Sequence, residues 1–358
     1  MNKKPSKCAL VALFLALVVL APLAGIVAGD RVRGRNLELR TPAAKPALTL
    51  EHIGSFPREY EAWYADSQPF RDQLIYVRAL MNKALYDRDV TRMVAFGKQG
   101  WLFYTNVNDG KPLNNYRGED LFTNMELRRI ADSLVRTRDN LRKQGCEFVL
   151  FIAPNKERVY SEYMPERYGA PSENYAAKQL VTFLRRRTDL NVVYCYDDLM
   201  QARQDLADIP IFYSKDTHWN GAGSYVGARA MMRALDIDMP PLTGDMTAPV
   251  SVGHTGDLSI LTHLERDIPA DTDYAVTFDA GQASADRKTV FFCHDSFGDS
   301  LTGYLLNYFN MGNAVPYADY EEAQVDAAHP DIFILETVER YVRLRLLRGP
   351  LYTDPGDR

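Results

Sequence analysis

A histidine stands two residues after an aspartate in Ser214-Lys215-Asp216-Thr217-His218-Trp219-Asn220. Residues two apart in an extended segment project from the same face, so the Asp216 carboxylate can accept from one imidazole nitrogen of His218. That contact would fix the tautomer and favour the imidazolium formed in general-base catalysis. Solvated turns and metal sites use the same Asp-x-His pair, so alone it selects no chemistry. A candidate nucleophile stands in Val290-Phe291-Phe292-Cys293-His294-Asp295-Ser296-Phe297-Gly298, where an apolar run leads straight into a serine and then a helix. This places the Ser296 hydroxyl at a strand's carboxyl end, where the N–H groups of a helix start can face a developing oxyanion. Serine also commonly caps helices, which is the plain structural alternative. The neighbouring Gly298-Asp299-Ser300-Leu301 offers a second serine. Ser300 falls one turn inside the expected helix, away from the strand edge, so Ser296 is the expected nucleophile.

Two further turns end expected strands: Pro154-Asn155-Lys156 and Glu336-Thr337-Val338-Glu339-Arg340-Tyr341. Asn155, Lys156, Trp219 and Arg340 are the candidate substrate contacts, although such turns are often plain surface. His254, Asp257 and His263 lack a ligand spacing, and Gly253–Ile260 reads as a loop, so no metal is expected. No cofactor is expected either.

The elements that must position these residues alternate in type. Met125–Gln144, Asn174–Arg187, Gly221–Leu235 (capped by Asn220), Gly298–Phe309 and Glu339–Leu347 read as helices. Cys146–Ala153, Asn191–Tyr196, Lys288–Cys293 and Asp331–Leu335 read as strands. Strands separated by helices imply parallel βαβ units and a three-layer α/β domain, with ligands beyond the carboxyl ends of the strands. Ahead of it, Phe56–Arg88 has helical spacing of Phe56, Tyr60, Trp63, Phe70, Leu74 and Leu85, read as two helices broken near Pro69 that pack on the main domain.

Lys3, Lys4 and Lys7 precede an uncharged, mostly apolar run from Cys8 to Gly29. About 20 such residues span a bilayer. The expectation is therefore an uncleaved anchor over residues 9–28, with the remainder exported as a single-pass inner-membrane protein; a cleaved signal peptide is the alternative. The organisation expected is an anchor over 1–29, a tether over 30–55, a helical lead-in over 56–90 and a catalytic domain over 91–350. A net charge of −5 argues against nucleic acid as a partner. Cys146, Cys195 and Cys293 sit in apolar runs and read as buried thiols, with a Cys146–Cys195 disulfide disfavoured.

Five blocks in order carry a family resemblance: Gly100-Trp101-Leu102-Phe103-Tyr104, Ile152-Ala153-Pro154-Asn155-Lys156, Asp216-Thr217-His218-Trp219, His294-Asp295-Ser296-Phe297 and Glu336–Tyr341. Over roughly residues 50–348 the chain resembles the SGNH hydrolase-like domain of the alginate O-acetyltransferase family (AlgJ- and AlgX-like proteins). The resemblance implies Ser296 as nucleophile, His218 as base and Asp216 as its orienting acid, in a chain order unlike that of ordinary members. It further implies acetyl transfer to an exported polysaccharide through acetyl-serine, with acetyl supplied by a multi-spanning membrane O-acyltransferase. A polysaccharide or peptidoglycan O-acetylesterase is the alternative, and a non-catalytic polysaccharide-binding scaffold a second. No carbohydrate-binding module is expected after the Asp331–Leu347 unit, so the single-domain AlgJ-like architecture is expected over the AlgX-like one. One departure concerns the oxyanion hole: Glu336-Thr337 stands where ordinary members have Gly-x-Asn. The second donor is expected from a backbone N–H near Phe297 or from the Asn155 side chain.

Overall fold

The unbroken apolar runs of the chain become the central strands of a sheet whose middle is covered on both faces. The computed structural model describes residues 41–86, 91–281 and 287–353, with residue 356 and scattered positions within 11–27. These fall into two compact units, one of residues 1–91 with 259–268 and one of 92–258 with 269–358.

In the first unit the helices Phe56–Ser67 and Arg71–Tyr86 are separated at Gln68-Pro69-Phe70. Gln68 is extended (φ −60°, ψ 143°), because a residue preceding proline is driven out of the helical region. The membrane anchor expected over residues 9–28, and with it the single-pass inner-membrane location, is overturned. Crossing a bilayer takes about 20 apolar residues in one helix, and no helix among the described residues is long and apolar enough. Much of residues 9–28 lies outside the described residues, as does the segment 30–40 of the expected tether.

The second unit opens with an antiparallel hairpin, β1 (Val94–Phe96) and β2 (Leu102–Tyr104). The strands β3 (Glu147–Ala153) and β4 (Asn191–Tyr194) follow. A small antiparallel pair, β5 (Thr247–Pro249) and β6 (Tyr274–Val276), comes next, and then β7 (Thr289–His294), β8 (Asn310–Pro316) and β9 (Ile332–Val338). The main sheet has the order β4-β3-β9-β7-β8, and every pairing in it is parallel. Alternate residues enter opposite cores. Val149, Phe151, Phe292 and Ile334 face one, while Phe148, Leu150, Phe291 and Phe333 face the other. Both faces being covered explains why these strands read as continuous apolar runs rather than as alternating ones.

Helices Asn124–Lys143 and Ala176–Arg187 cover one face with Leu127, Ile130, Leu134, Leu180 and Leu184. Gly221–Arg233 covers the other with Ala222, Tyr225 and Met231. Thr123 and Glu126 form a reciprocal capping box on the first of these helices. Asn220 caps Gly221–Arg233 as expected, accepting from the Gly223 N–H at 3.1 Å.

Three details differ from the sequence reading. The segment after Ser296 begins as a tight 3-10 turn, Gly298–Leu301, and becomes α-helical only over Thr302–Tyr308. The closing segment does the same, with Glu339–Tyr341 ahead of Val342–Leu346. β8 was not expected as a strand. It lies at the sheet edge and carries Asn310, Gly312 and Asn313, so it offers no apolar run to read.

The register brings the site together. Ala153 pairs with Val338, and Cys293 pairs with Leu335. The carboxyl ends of β3, β9 and β7 are therefore neighbours, and the turns at Asn155, Glu339 and Ser296 leave from one edge.

Candidate active site

The Asp216–His218 loop is folded back on itself. Phe212 bridges Trp219, and the Tyr213 N–H donates to the His218 carbonyl at 3.3 Å. At its tip, one Asp216 oxygen accepts from His218 Nδ1 at 2.6 Å and from the His218 N–H at 3.0 Å. With Nδ1–H donated there, Nε2 is left as an acceptor, and it lies 2.7 Å from Ser296 Oγ. Burial would raise the Asp216 carboxyl. The hydrogen bonds from His218 and His254, the charge at His218 and the Asp257 N–H outweigh that and hold it far below the usual carboxylate range. Asp216 is buried while Ser296 is exposed. The three residues thus form a hydrogen-bonded line from a buried anion to a solvent-facing hydroxyl, an arrangement suited to making a serine nucleophilic.

Asp295 shapes the serine turn. Its N–H donates to Glu336 at 2.8 Å, one carboxylate oxygen accepts from the Phe297 N–H at 2.9 Å, and the other accepts from the Val338 N–H at 2.7 Å and Arg345 at 2.8 Å. The end of β7 is thereby tied to the end of β9. The Phe297 N–H is already engaged, which corrects its candidacy as an oxyanion donor, and the Gly298 N–H is likewise taken, by the Asp295 carbonyl at 2.9 Å. Ser296's own N–H and the Asn155 side-chain amide have no acceptor among the described residues. Glu336 is fully buried. Burial, then the adjacent Asp295 charge, push its carboxyl well above the usual range.

The four expected substrate contacts, Asn155, Lys156, Trp219 and Arg340, are all buried. Lys156 is 2% exposed, and its ammonium donates to the carbonyls of Tyr213 (3.2 Å), Ser214 (3.3 Å) and Asp216 (2.5 Å) beneath the rings of Trp101 and Phe103. It is a clamp on the Asp216 loop, and the reading of it as a substrate contact is corrected. Trp219, also 2% exposed, packs edge-on against Phe297 and is corrected in the same way. Arg340 lies over Phe297 at 5.4 Å with its Nε unpartnered among the described residues. Asn155 is held from behind, its N–H donating to Glu339, which also accepts from Tyr194 and is paired with Arg158 at 3.2 Å.

Sequence reasoning missed how His254 and Asp257 relate to Asp216. His254 Nε2 lies 2.8 Å from the second Asp216 oxygen, and the Asp257 N–H donates to that oxygen at 3.0 Å. The signal was Gly256, between them in sequence. A Cβ there would collide with the Lys215 carbonyl, so the two loops touch backbone to backbone. Asp216, His218 and Asp257 each offer an atom within the 4.8 Å span that a metal ion would need. His218 Nδ1 is already committed to Asp216, and the Asp257 carboxylate accepts from the Thr217 N–H and hydroxyl. His263 belongs to the other unit.

Residues 94–293, more than half of the chain, match the family described as "SGNH hydrolase-like domain, acetyltransferase AlgX". The chain belongs to this family. The match includes Asp216 and His218 and stops just ahead of Ser296. A probable alginate O-acetylase AlgJ of Pseudomonas putida is 30% identical over 218 residues, 59% of this chain and 52% of that protein. The chain thus spans about half the length of this relative. A second such protein, from Pseudomonas syringae pv. tomato, is 23% identical over 342 residues, 85% of this chain and 81% of its own. Among solved structures, Bacillus cereus PatB1 with a sulfonyl adduct superposes with a TM-score of 0.51 at 10% identity, over 72% of this chain and 97% of that one. At that identity the likeness concerns the fold, which is the three-layer SGNH hydrolase-like α/β architecture.

Proposed function

We propose that this protein is an O-acetyltransferase that acts on a polysaccharide through an acetyl-Ser296 intermediate. The observation that carries the reading is the unbroken line Ser296–His218–Asp216, at 2.7 and 2.6 Å, ending in an exposed hydroxyl. Relatives named as alginate O-acetylases support acetyl as the group and a polysaccharide as the acceptor.

His218 Nε2 takes the Ser296 proton as Oγ attacks the acetyl carbonyl of a donor ester. The tetrahedral oxyanion collapses, the ester bond to the donor breaks, and the imidazolium returns the proton to the departing alkoxide. A sugar hydroxyl then gives its proton to His218 and attacks acetyl-Ser296; the Oγ–acetyl bond breaks and the imidazolium returns the proton to Ser296 Oγ, releasing the acetylated sugar. Ser296's own N–H and the Asn155 amide are the donors available to the oxyanion, each worth roughly 3–4 kcal/mol in such a role. The donor ester is supplied by a membrane O-acyltransferase.

The test is acetyl release from an aryl acetate with and without an oligosaccharide acceptor. Acetylated oligosaccharide formed by the wild type and lost in Ser296→Ala is expected. Free acetate at the same rate whether or not acceptor is present would select the esterase reading. A serine unreactive to sulfonyl fluorides, with no turnover at all, would select the binding scaffold.

A further inference from the structure

Asp216 has two carboxylate oxygens, and the acetyl-serine mechanism uses one of them. The oxygen that faces His218 accepts from Nδ1 and from the His218 N–H. If the hold ended there, the carboxylate could swing about its terminal torsion, which is broad for aspartate. It does not end there, since the other oxygen accepts from His254 Nε2 at 2.8 Å and from the Asp257 N–H at 3.0 Å.

His254 is itself fixed from two sides. Its backbone exchanges hydrogen bonds with Asp271 in both directions, at 2.8 and 2.9 Å. Its ring stacks on Tyr213, with centroids 4.0 Å apart and an interplanar angle of 18°. The Asp271 carboxylate reaches back to the same loop, accepting from the Ser214 hydroxyl at 2.6 Å, the Lys215 N–H at 2.7 Å and the Lys215 ammonium at 2.9 Å. Loop 213–216, Asp271 and His254 therefore form a closed frame around the carboxylate.

We infer that His254 is a positioning residue for the base: together with the Asp257 N–H it holds the outer oxygen of Asp216, and the pair fixes the plane in which Asp216 presents its inner oxygen to His218. The inference rests on the acetyl-serine reading and adds a fourth member to that line. The hydrogen bond to Asp216 raises His254 above its ordinary pKa, against a smaller opposing effect of burial and with help from the charges of Asp216, Asp273 and Asp271.

Three variants test this, assayed by aryl acetate hydrolysis with kcat and KM resolved and with thermal unfolding as the folding control. His254→Phe keeps a ring to stack on Tyr213 and removes the donor. It is expected to lower kcat by about 10- to 100-fold with KM little changed. His254→Gln restores an N–H near the same place and is expected to recover most of that loss. Should His254→Phe not fold, His254→Ala against His254→Gln carries the same comparison. A folded donor-less variant with wild-type kcat overturns the inference, and so does His254→Gln performing no better than it. Ser296→Ala run in parallel separates the two readings. An active Ser296→Ala removes the acetyl-serine mechanism, whereas an inactive one beside a fully active His254→Phe removes only the role of His254.

Discussion

The indole N–H of Trp219 donates to the hydroxyl of Ser300 at 2.8 Å. The serine in the literal Gly-Asp-Ser-Leu string is therefore engaged with the residue that follows His218. Its hydroxyl also donates to the Phe297 carbonyl at 3.2 Å, and Trp219 packs on Phe297. The two serines four positions apart divide the work, Ser296 facing His218 and Ser300 bracing what lies behind it. Ser300→Ala leaves the buried Trp219 N–H unpaired, at a cost of about 1–3 kcal/mol. It is expected to lower the unfolding midpoint while keeping turnover within several-fold of wild type. Ser296→Ala is expected to reverse that pattern, with stability kept and turnover lost. Chemical denaturation beside the aryl acetate assay checks both.

Asp216→Asn carries a sharper expectation than tautomer choice alone would give. Every group facing the two Asp216 oxygens is a donor: two from His218, one from His254 and one from Asp257. An amide must point its own NH2 at one of these sets. Activity is expected to fall on the order of ten-thousand-fold, together with a measurable loss of stability. An Asp216→Asn enzyme with near-normal kcat would mean that His218 is not the base.

Lys156 ties the same loop down from inside. Burial lowers its ammonium pKa to about 8, against the opposing pull of Glu157, Asp257, Asp216 and Asp271. Between that value and its ordinary 10.5 the unfolded chain holds a proton that the native protein has released, so stability from this group rises with pH across that interval. Lys156→Met removes three hydrogen bonds to loop carbonyls and is expected to lower kcat. Its stability deficit relative to wild type is expected to widen as pH rises from about 8 to about 10. Urea unfolding of both proteins across that range measures it, and a deficit that shrinks would contradict it.

Glu336 titrates in the opposite sense. Its folded-state pKa is raised, so the native protein keeps a proton that the unfolded chain gives up. The associated stability is full below the ordinary value of 4.5 and is lost as pH rises through the folded value. Glu336→Gln keeps an acceptor for the Asp295 N–H and cannot ionise. Its unfolding midpoint is expected to gain on wild type as pH rises above 4.5. A midpoint that falls behind over that range would contradict a raised Glu336 pKa.

The sheet was legible because its strands are buried on both faces, so β3, β7 and β9 each appear as one apolar run between helix patterns. β8 was not, since an edge strand with Asn310, Gly312 and Asn313 shows no such run. At the site, Asp216 and His218 were legible because two residues of spacing put them on one face, and Ser296 because it ends a strand. His254 was passed over, as its partner lies 38 residues away in sequence, and Gly256, the one cue nearby, marks a close backbone approach without naming its partner. Lys156 and Trp219 were misjudged for a common reason. A polar or amphipathic side chain beside a strand end looks solvent-facing in sequence, yet here three carbonyls and a serine hydroxyl satisfy them inside the protein.

Acetyl passing through Ser296 leaves a covalent intermediate that can be trapped. Wild-type protein mixed with an aryl acetate and quenched within the first turnover should carry one acetyl group. Peptide mapping by mass spectrometry should place it on the segment containing Ser296, and an oligosaccharide acceptor should discharge it. Ser296→Ala should carry none, and Ser300→Ala should be labelled as wild type is. Turnover without any acetyl on that segment, or an acetyl group mapped to Ser300, would contradict the account.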